Sequence, residues 1–522
     1  KERMAFVVSE FHGIDMVVAG DPAVTAALRS IDGAEVAASR HFDAAGALKP
    51  GVVALGAEQA ADLVQRLEGA PLTVLSVEPK AYRRRAPFPY ITSSLLQDAA
   101  GRLRLGSKSA QSALQSLFEA GHITYPRTDS PHMAPQAIAA ARATAIEMFG
   151  AQNVPEKARH PKAKKANAQE AHEALRPTNK ARRTVKGVGA NAQRIYEMIW
   201  RRTIASQMID ATGTTTTVSF SVTASGAGEK CVFTASGTVI DVPGFRLVYL
   251  PQTEEEPAMP VFDTGQACTA ESFTAVAHAT KPPARYTEGT LIKALEDEGI
   301  GRPSTYTSTM QSLRLRYVWS KKGDAALIPT VSAFAVDRVM QACFAELTDR
   351  RFTNQMEERL DSVVAGDLGY EDLLSAFWSE GDGTWTPLET LIVNGKTLFD
   401  PKTTPVMSFG VHPELGDEVV LRAGRAYRSK GRTVGRPYLA CGKKTVSIAD
   451  ETEMDLLTPE VAFAKFTEDR GPWDLGEHDG HPVQVMIGIY GPYVKWNGRN
   501  VKLPKTLDPA SASLADVAGL LE

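Results

Sequence analysis

The octapeptide Ile123-Thr-Tyr-Pro-Arg-Thr-Asp-Ser130 places a phenol, a guanidinium, a carboxylate and hydroxyls within eight residues. Such a set suits chemistry at a phosphate. Tyrosine is a weak nucleophile at neutral pH because its phenol titrates at about 10. A cation beside it favours the phenolate and also meets the charge of a phosphodiester. Tyr125 is the candidate nucleophile and Arg127 the candidate cation. Asp129 could hold Arg127 or receive a proton, while Thr128 and its hydroxyl neighbours could bind phosphate oxygens. The same residues would also make a surface turn, with Tyr125 half buried and Pro126 ending a strand.

Two further stretches carry reactive side chains. In Asn167-Ala-Gln-Glu-Ala-His-Glu-Ala-Leu-Arg-Pro-Thr178, His172 can relay a proton or donate to a phosphate, as imidazoles do near neutral pH, and Arg176 supplies a fixed charge. Glu173 would orient its neighbours; a histidine on a polar surface helix is the plainer alternative. In the stretch from Tyr286 to Tyr306, a helix ending near Glu298 is stopped by Gly299 and Gly301, and Pro303-Ser304 opens the next. A helix start bearing Arg302, Ser304 and Thr305 makes a seat for phosphate. A purely structural helical hairpin has the same pattern.

The elements that must position these residues follow from periodicity. Residues 1–80 read as mixed α/β, with strand-like 6–8, 16–18 and 72–77 and a helix near 59–67. Helices are expected at 92–96 and 109–121, the second delivering the chain into Ile123, then at 134–149, 171–175 and 190–208. Alternation at 214–222, 230–239, 245–250 and 267–280 predicts an antiparallel sheet. A helical insertion thus lies between two strand-bearing segments, and two crossings make a natural hinge. Helices are predicted for 287–298, 305–315 and 352–378, with a strand beginning at Tyr317. The last part repeats itself: 410–424 parallels 476–488, each followed by a glycine-aromatic element, Gly435-Arg-Pro-Tyr438 and Tyr490-Gly-Pro-Tyr-Val494. Tyr493 and Trp496 on a small sheet beside Arg and Lys suit stacking on single-stranded bases, although packing in a core is an equal reading.

Taken together and in this order, these motifs resemble bacterial type IA DNA topoisomerases. The resemblance implies a multidomain α+β toroidal core: 1–85 and 211–283 would form a β-rich arch, 86–210 a helical domain bearing the tyrosine, and 284–389 a helical DNA-binding domain. Residues 390–522 would form zinc-free repeats, about 390–470 and 471–522. It assigns Tyr125, Arg127 and His172 to catalysis, and Thr128, Asp129, Arg176, Arg302, Ser304, Thr305, Tyr493 and Trp496 to DNA. It implies a 5′-phosphotyrosyl intermediate, relaxation of negatively supercoiled DNA, and Mg²⁺ without ATP or zinc. The acidic metal-binding domain of that family has no counterpart here, since no DxDxE occurs. Either the chain is part of a longer protein or a separate chain supplies that domain. Pro126 is closer to the topoisomerase III branch, whereas the C-terminal repeats point to topoisomerase I.

Composition is consistent with this reading. A chain of 522 residues with 43% hydrophobic and 23% charged residues reads as a soluble multidomain protein. No apolar run is long enough to span a membrane, Lys1-Glu-Arg-Met is no signal peptide, and a bacterial cytoplasmic location at the nucleoid is expected. The four cysteines contain no CxxC and predict neither zinc nor disulfides. A net charge of −3 conceals basic clusters at 83–85, 102–104, 162–165, 182–183, 201–202, 314–316, 321–322 and 422–444, offset by 254–256. No GxxxxGK[ST] occurs. A DNA-binding scaffold without turnover is the rival reading. A tyrosine recombinase is disfavoured because its tyrosine lies near the C-terminus.

Overall fold

The computed structural model describes residues 1–161, 172–178, 183–249, 259–400, 404–425, 427–429, 432–434, 436–467, 471–488, 491–504 and 506–521. The basic cluster at 162–165, Arg182, the acidic run 254–256, Gly435 and Tyr490 lie outside the described residues. The chain forms two units, one of Lys1–Asp297 with Gly301–Ser308, the other of Glu298–Ile300 with Thr309–Glu522.

The first unit opens with a short helix α1 (Glu2–Ala5), strands β1 (Glu10–Val18), β2 (Val24–Ile31), β3 (Ala34–Val36) and β4 (Val52–Val53), helix α2 (Ala57–Leu67) and strand β5 (Leu72–Arg84). A helical insertion follows: α3 (Thr92–Leu103), α4 (Ser107–Glu119), α5 (Pro135–Phe149) and α6 (Ala190–Ala205). The sheet then resumes with β6 (Ala211–Thr223), β7 (Lys230–Val242), β8 (Ala267–Cys268) and β9 (Ala270–Ala279).

Pairing runs β5–β6–β7–β2–β1–β9, and β8 returns to β5. Only Thr269 separates β8 from β9, so the ladder closes on itself and leaves few open edges. The alternation that predicted these strands lines one side. Ile14, Met16, Val18, Val24, Ala26, Leu28, Val74, Val218, Phe220 and Phe233 are buried there against Ala60, Leu63 and Leu67 of α2. The i, i+3, i+7 spacing of those three residues is what makes α2 a core helix. Each large side chain withdrawn from water contributes about 1.5–3 kcal/mol.

Beyond this core, β5, β6 and β7 continue as a three-stranded ribbon. From Glu78, Thr217 and Ser236 outward the ribbon buries only Ala211. Its middle is held by backbone ladders and by paired hydroxyls, Thr215 with Thr238 at 2.9 Å and Thr217 with Ser236 at 2.9 Å. At the far end Asp210 pins the helical insertion. Its carboxylate accepts from the Ala86 N–H at 3.0 Å, from Arg83 Nε at 2.8 Å and from Arg159 Nη1 at 2.9 Å.

Helix α7 (Glu288–Asp297) returns to the insertion, and α8 (Tyr306–Arg316) starts in the first unit and continues into the second. The second unit holds a short pair, β10 (Val318–Trp319) and β11 (Ile328–Pro329). Helices α9 (Val331–Cys343), α10 (Ala345–Thr348), α11 (Arg350–Ala365), α12 (Tyr370–Ser375) and α13 (Leu388–Leu398) follow. The internal repeat then appears as two four-stranded antiparallel sheets. The first joins β12 (Met407–Val411), β13 (Glu418–Arg422), β16 (Tyr438–Cys441) and β17 (Lys444–Ser447), and an extra hairpin, β14 (Tyr427–Ser429) and β15 (Arg432–Val434), interrupts it. Helix α14 (Pro459–Thr467) closes that repeat. The second joins β18 (Trp473–His478), β19 (His481–Gly488), β20 (Gly491–Trp496) and β21 (Arg499–Lys502), closed by α15 (Leu514–Leu521).

Four local expectations fail, each for a physical reason. Residues 6–8 are extended but unpaired with any named strand; the Val7 N–H donates to Ala45 O at 2.9 Å. Residues 172–175 are not helical, because their backbone groups bond to Tyr90 and His132 in other segments. Residues 244–248 form a 3₁₀ turn: Gly244, at φ +50°, starts it against Asp210 O, where an added Cβ would come within 2.5 Å. The run 352–378 is broken after α11 by Gly366 at φ +84°. Cys231, Cys268, Cys343 and Cys441 are free thiols.

The Asp210 pin gives a pH-dependent expectation. Burial raises its carboxyl, but the Ala86 N–H, Arg83 and Arg159 outweigh this and hold it below its ordinary value. Because the folded value is the lower one, the pin stabilises fully above the unfolded value of about 4 and is lost as pH falls through the folded value. Asp210→Asn is expected to destabilise the protein by roughly 2–4 kcal/mol at neutral pH, with the difference from the parent shrinking below about pH 4. Thermal unfolding across pH measures this, and a difference independent of pH would refute it.

Candidate active site

Helix α4 ends in left-handed Gly121, φ +71°, with the His122 N–H donating to Leu117 O at 2.9 Å. The chain then enters residues 123–133, which have no regular structure of their own. Their backbone groups bond to two other segments. Thr92, the first residue of α3 and fully buried, places its hydroxyl 2.8 Å from Pro126 O and 3.0 Å from Thr128 O, donating to one of them. The same hydroxyl accepts from the Thr128 N–H at 2.9 Å. On the other side the His172 segment is laced in. The Thr124 hydroxyl donates to Ala174 O at 2.6 Å and accepts from the Arg176 N–H at 3.0 Å. The Ala174 N–H donates to His132 O at 2.7 Å and the Leu175 N–H to Tyr90 O at 2.8 Å.

These bonds bring Tyr125 and His172 together from distant parts of the sequence. Their rings lie 5.0 Å apart, tilted by 35°, and Phe118 of α4 meets Tyr125 edge-on at 5.6 Å. Tyr125 remains 39% exposed, so the phenol is held on one side and open on the other. Arg127 is exposed and, among the described residues, makes no ion pair. Glu173 orients its neighbours, as read from the sequence: one oxygen accepts from the Ala134 N–H at 2.6 Å and the other pairs with Arg176. Among the described residues, His172 Nδ1 and Arg176 Nε are buried without a hydrogen-bond partner.

Other expectations are corrected. Among the described residues, Asp129 and Arg127 form no ion pair. Thr128 is 1% exposed, and its hydroxyl accepts from the Ser130 N–H at 3.1 Å, so it shapes the loop and does not face a phosphate. Trp496 lies in the core of the second repeat with Val483, Val485, Val494 and Val517, and its Nε1 donates to His478 O at 2.8 Å, so it offers no stacking face. Tyr493 is half buried, its hydroxyl 3.5 Å from Met486 Sδ. Thr92 is missed by the sequence reading, which places it only at the start of the helix expected at 92–96; nothing in its local pattern signals the contact across to Pro126.

Arg302, Ser304 and Thr305 occupy the turn before α8. The Thr305 hydroxyl caps locally, accepting from the Arg302 N–H at 2.9 Å, while Ser304 is exposed. Helix α7, which leads into this turn, packs on α3. Gly289 permits the approach, since an added Cβ would lie 3.1 Å from Gln97 O, and buried Glu288 accepts from the Ser107 N–H at 2.7 Å. Helix α3 therefore supports the tyrosine loop at its first residue and α7 roughly 8 Å farther along.

The DNA topoisomerase family profile matches residues 50–375, a span that contains every one of these site residues except the two C-terminal aromatics. The chain belongs to the bacterial type IA DNA topoisomerase family. A topoisomerase C-terminal repeat profile matches residues 477–522. It is 36% identical to DNA topoisomerase 1 of Mycolicibacterium smegmatis over 95% of the chain and 56% of that protein. DNA topoisomerase 1 of Streptomyces coelicolor is 35% identical over 97% of the chain and 57% of that protein. The chain thus spans little more than half the length of these relatives. Full-length topoisomerase I from Thermotoga maritima superposes with a TM-score of 0.63 at 25% identity, covering 87% of this chain and 68% of that one.

Replacing Thr92 with Val removes a buried hydroxyl and leaves the Thr128 N–H without its acceptor. A loss of about 1–3 kcal/mol in stability is expected, together with faster cleavage of the 123–133 loop in limited proteolysis. Unchanged protection of that loop would count against Thr92 as its anchor.

Proposed function

We propose that this chain is the strand-cutting and strand-holding portion of a DNA topoisomerase that relaxes negatively supercoiled DNA. Tyr125 Oη attacks a phosphodiester of single-stranded DNA. The Oη–P bond forms, the bond from phosphorus to the 3′ oxygen breaks, and the phenol proton leaves as the 3′ hydroxyl is released. A second strand passes, and the 3′ hydroxyl then re-attacks the 5′-phosphotyrosine. The ester retains the bond energy, so ATP is not needed. What carries this reading is the half-open phenol against His172, together with Arg127 two residues along, which makes no ion pair among the described residues, and with buried His172 Nδ1 and Arg176 Nε, which have no hydrogen-bond partner there. Arg127 would stabilise charge gathering on phosphorus, and His172 would move or donate a proton. Arg302 and Ser304 would hold backbone phosphates at the start of α8.

The family's Mg²⁺ does not fit the residues present. Among the described residues no three His, Cys, Asp or Glu side chains converge, and Glu173 is already engaged by Arg176 and Ala134. An acidic metal-binding domain or chain would supply it. That observation also favours a second reading, in which these residues alone bind DNA without turnover; relaxation assays with and without an added acidic domain separate the two. No helix among the described residues is long and apolar enough to cross a membrane, and action at the bacterial nucleoid is the setting we infer.

Tyr125→Phe is expected to abolish covalent capture of 3′-labelled single-stranded DNA while binding changes less than about threefold. Capture that persists in this variant would remove Tyr125 from the role.

A further inference from the structure

Among the described residues, the outer part of β5 has no strand partner on its side away from β6. Its pairing with β8 covers only Leu72 and Thr73, and Val74 bonds onward to Gln266 and Gly265; beyond that, among the described residues, β6 is its only strand partner. Side chains alternate between the two ribbon faces along this edge. Arg83 points to the face where Asp210 pins it, at 2.8 Å. Lys80, Tyr82 and Arg84 share the other face, opposite Thr215, Gly213 and Ala211 of β6.

Lys80 and Arg84 on this second face, and Arg85 just past the end of β5, differ from Arg83 in having no carboxylate partner among the described residues. There neither Lys80 nor Arg85 has an ion pair, and Arg84 has only the ring of Phe245, 6.0 Å from its guanidinium carbon. Lys80, Arg84 and Arg85 are exposed, and Tyr82 is half buried. Glu78, bonded by the Ser76 hydroxyl at 3.3 Å, marks the acidic end of the stretch. Strand β6 carries no charged residue along its length, only threonines, serines and small or apolar side chains. Following Arg85, the chain passes Phe88, which is 52% exposed, and reaches Tyr90 and Thr92, whose backbone and hydroxyl hold the tyrosine loop. Cations and aromatics therefore alternate from Lys80 to the edge of the Tyr125 site.

We infer that the free edge of β5, with Lys80, Tyr82, Arg84, Arg85 and Phe88, is a second binding track for single-stranded DNA that continues from Tyr125 toward the ribbon. Residues two apart on a strand lie roughly 6.6–6.8 Å from one another, a step comparable to that between successive phosphates of an extended strand. Lys80 and Arg84, four apart, are separated by about two such steps, so both can meet the backbone, and Tyr82 and Phe88 offer faces to unstacked bases. A duplex fits less well, because aromatic faces find no unstacked base there. The direction of the track rests on the reading of Tyr125 as the strand-attacking residue.

The test uses the whole chain with Lys80, Arg84 and Arg85 all changed to Gln, at exposed positions where folding is checked by circular dichroism. Affinity for a labelled single strand of about 30 nucleotides is measured against salt. Each phosphate contact contributes about 0.7 to the slope of log K against log salt, so the triple variant is expected to lose about 2 from the slope. A strand of about 8 nucleotides, too short to fill both sites, should lose less. Tyr82→Ala with Phe88→Ala should weaken binding of the long strand by tenfold or more at fixed salt. An unchanged slope in the triple variant, when the parent shows salt-dependent binding, would overturn the track. So would a slope that falls for duplex but not for single strands. If Tyr125→Phe still captures DNA, the reading of the active site falls, and the salt slopes still decide whether the edge binds single strands.

Discussion

The candidate site depends on one constraint: two stretches without regular structure must still satisfy their backbone hydrogen-bonding groups. Residues 123–133 and 172–178 do this largely by bonding to each other and to the start of α3. Had either been a helix, its groups would have been satisfied internally and nothing would have drawn His172 to Tyr125. Buried Thr92 and half-buried Thr124 are the two knots. With both sides of the tyrosine loop tied, the phenol can stay partly exposed without the loop being loose.

The sheet of the first unit provides the base for this arrangement. A ladder closed through β8 and β9 places the alternating apolar residues of six strands around α2, so that part has a core. The ribbon growing from it has almost none, and relies on ladder bonds, hydroxyl pairs and the Asp210 cluster at its tip. Two construction principles thus meet in the same strands. Apolar packing gives way to polar pairing where β5 passes Val77, and from there on side chains become available to solvent.

In the second unit the repeat is built twice from one plan, four antiparallel strands followed by a helix, with the β14–β15 hairpin inserted only in the first. In the second copy, Val483, Val485 and Val494 face Val517 and Leu521 of the closing helix, and Trp496 completes that core. An aromatic residue near basic ones in a small sheet is therefore not enough to indicate a surface for bases. The sheet needs its largest ring to fill the space under the helix, and Trp496 has the register to do so.

Much was legible in the sequence because it depends on local physics. Period-two alternation marked β6, β7 and β9, helical spacing marked α4 and α6, Gly121 marked where α4 stops, and the glycine-aromatic pattern marked the repeat. The types of residue in 123–130 and 167–178 also announced phosphate chemistry. What sequence could not determine is which groups are spent internally. Thr128 and Trp496 are turned inward, and 172–175 abandon a helical pattern, because each outcome is decided by partners about 20 to 80 residues away or by a neighbouring core. Side-chain chemistry is written in the chain itself; whether that chemistry faces a ligand or holds the fold is settled only when distant backbone groups compete for it.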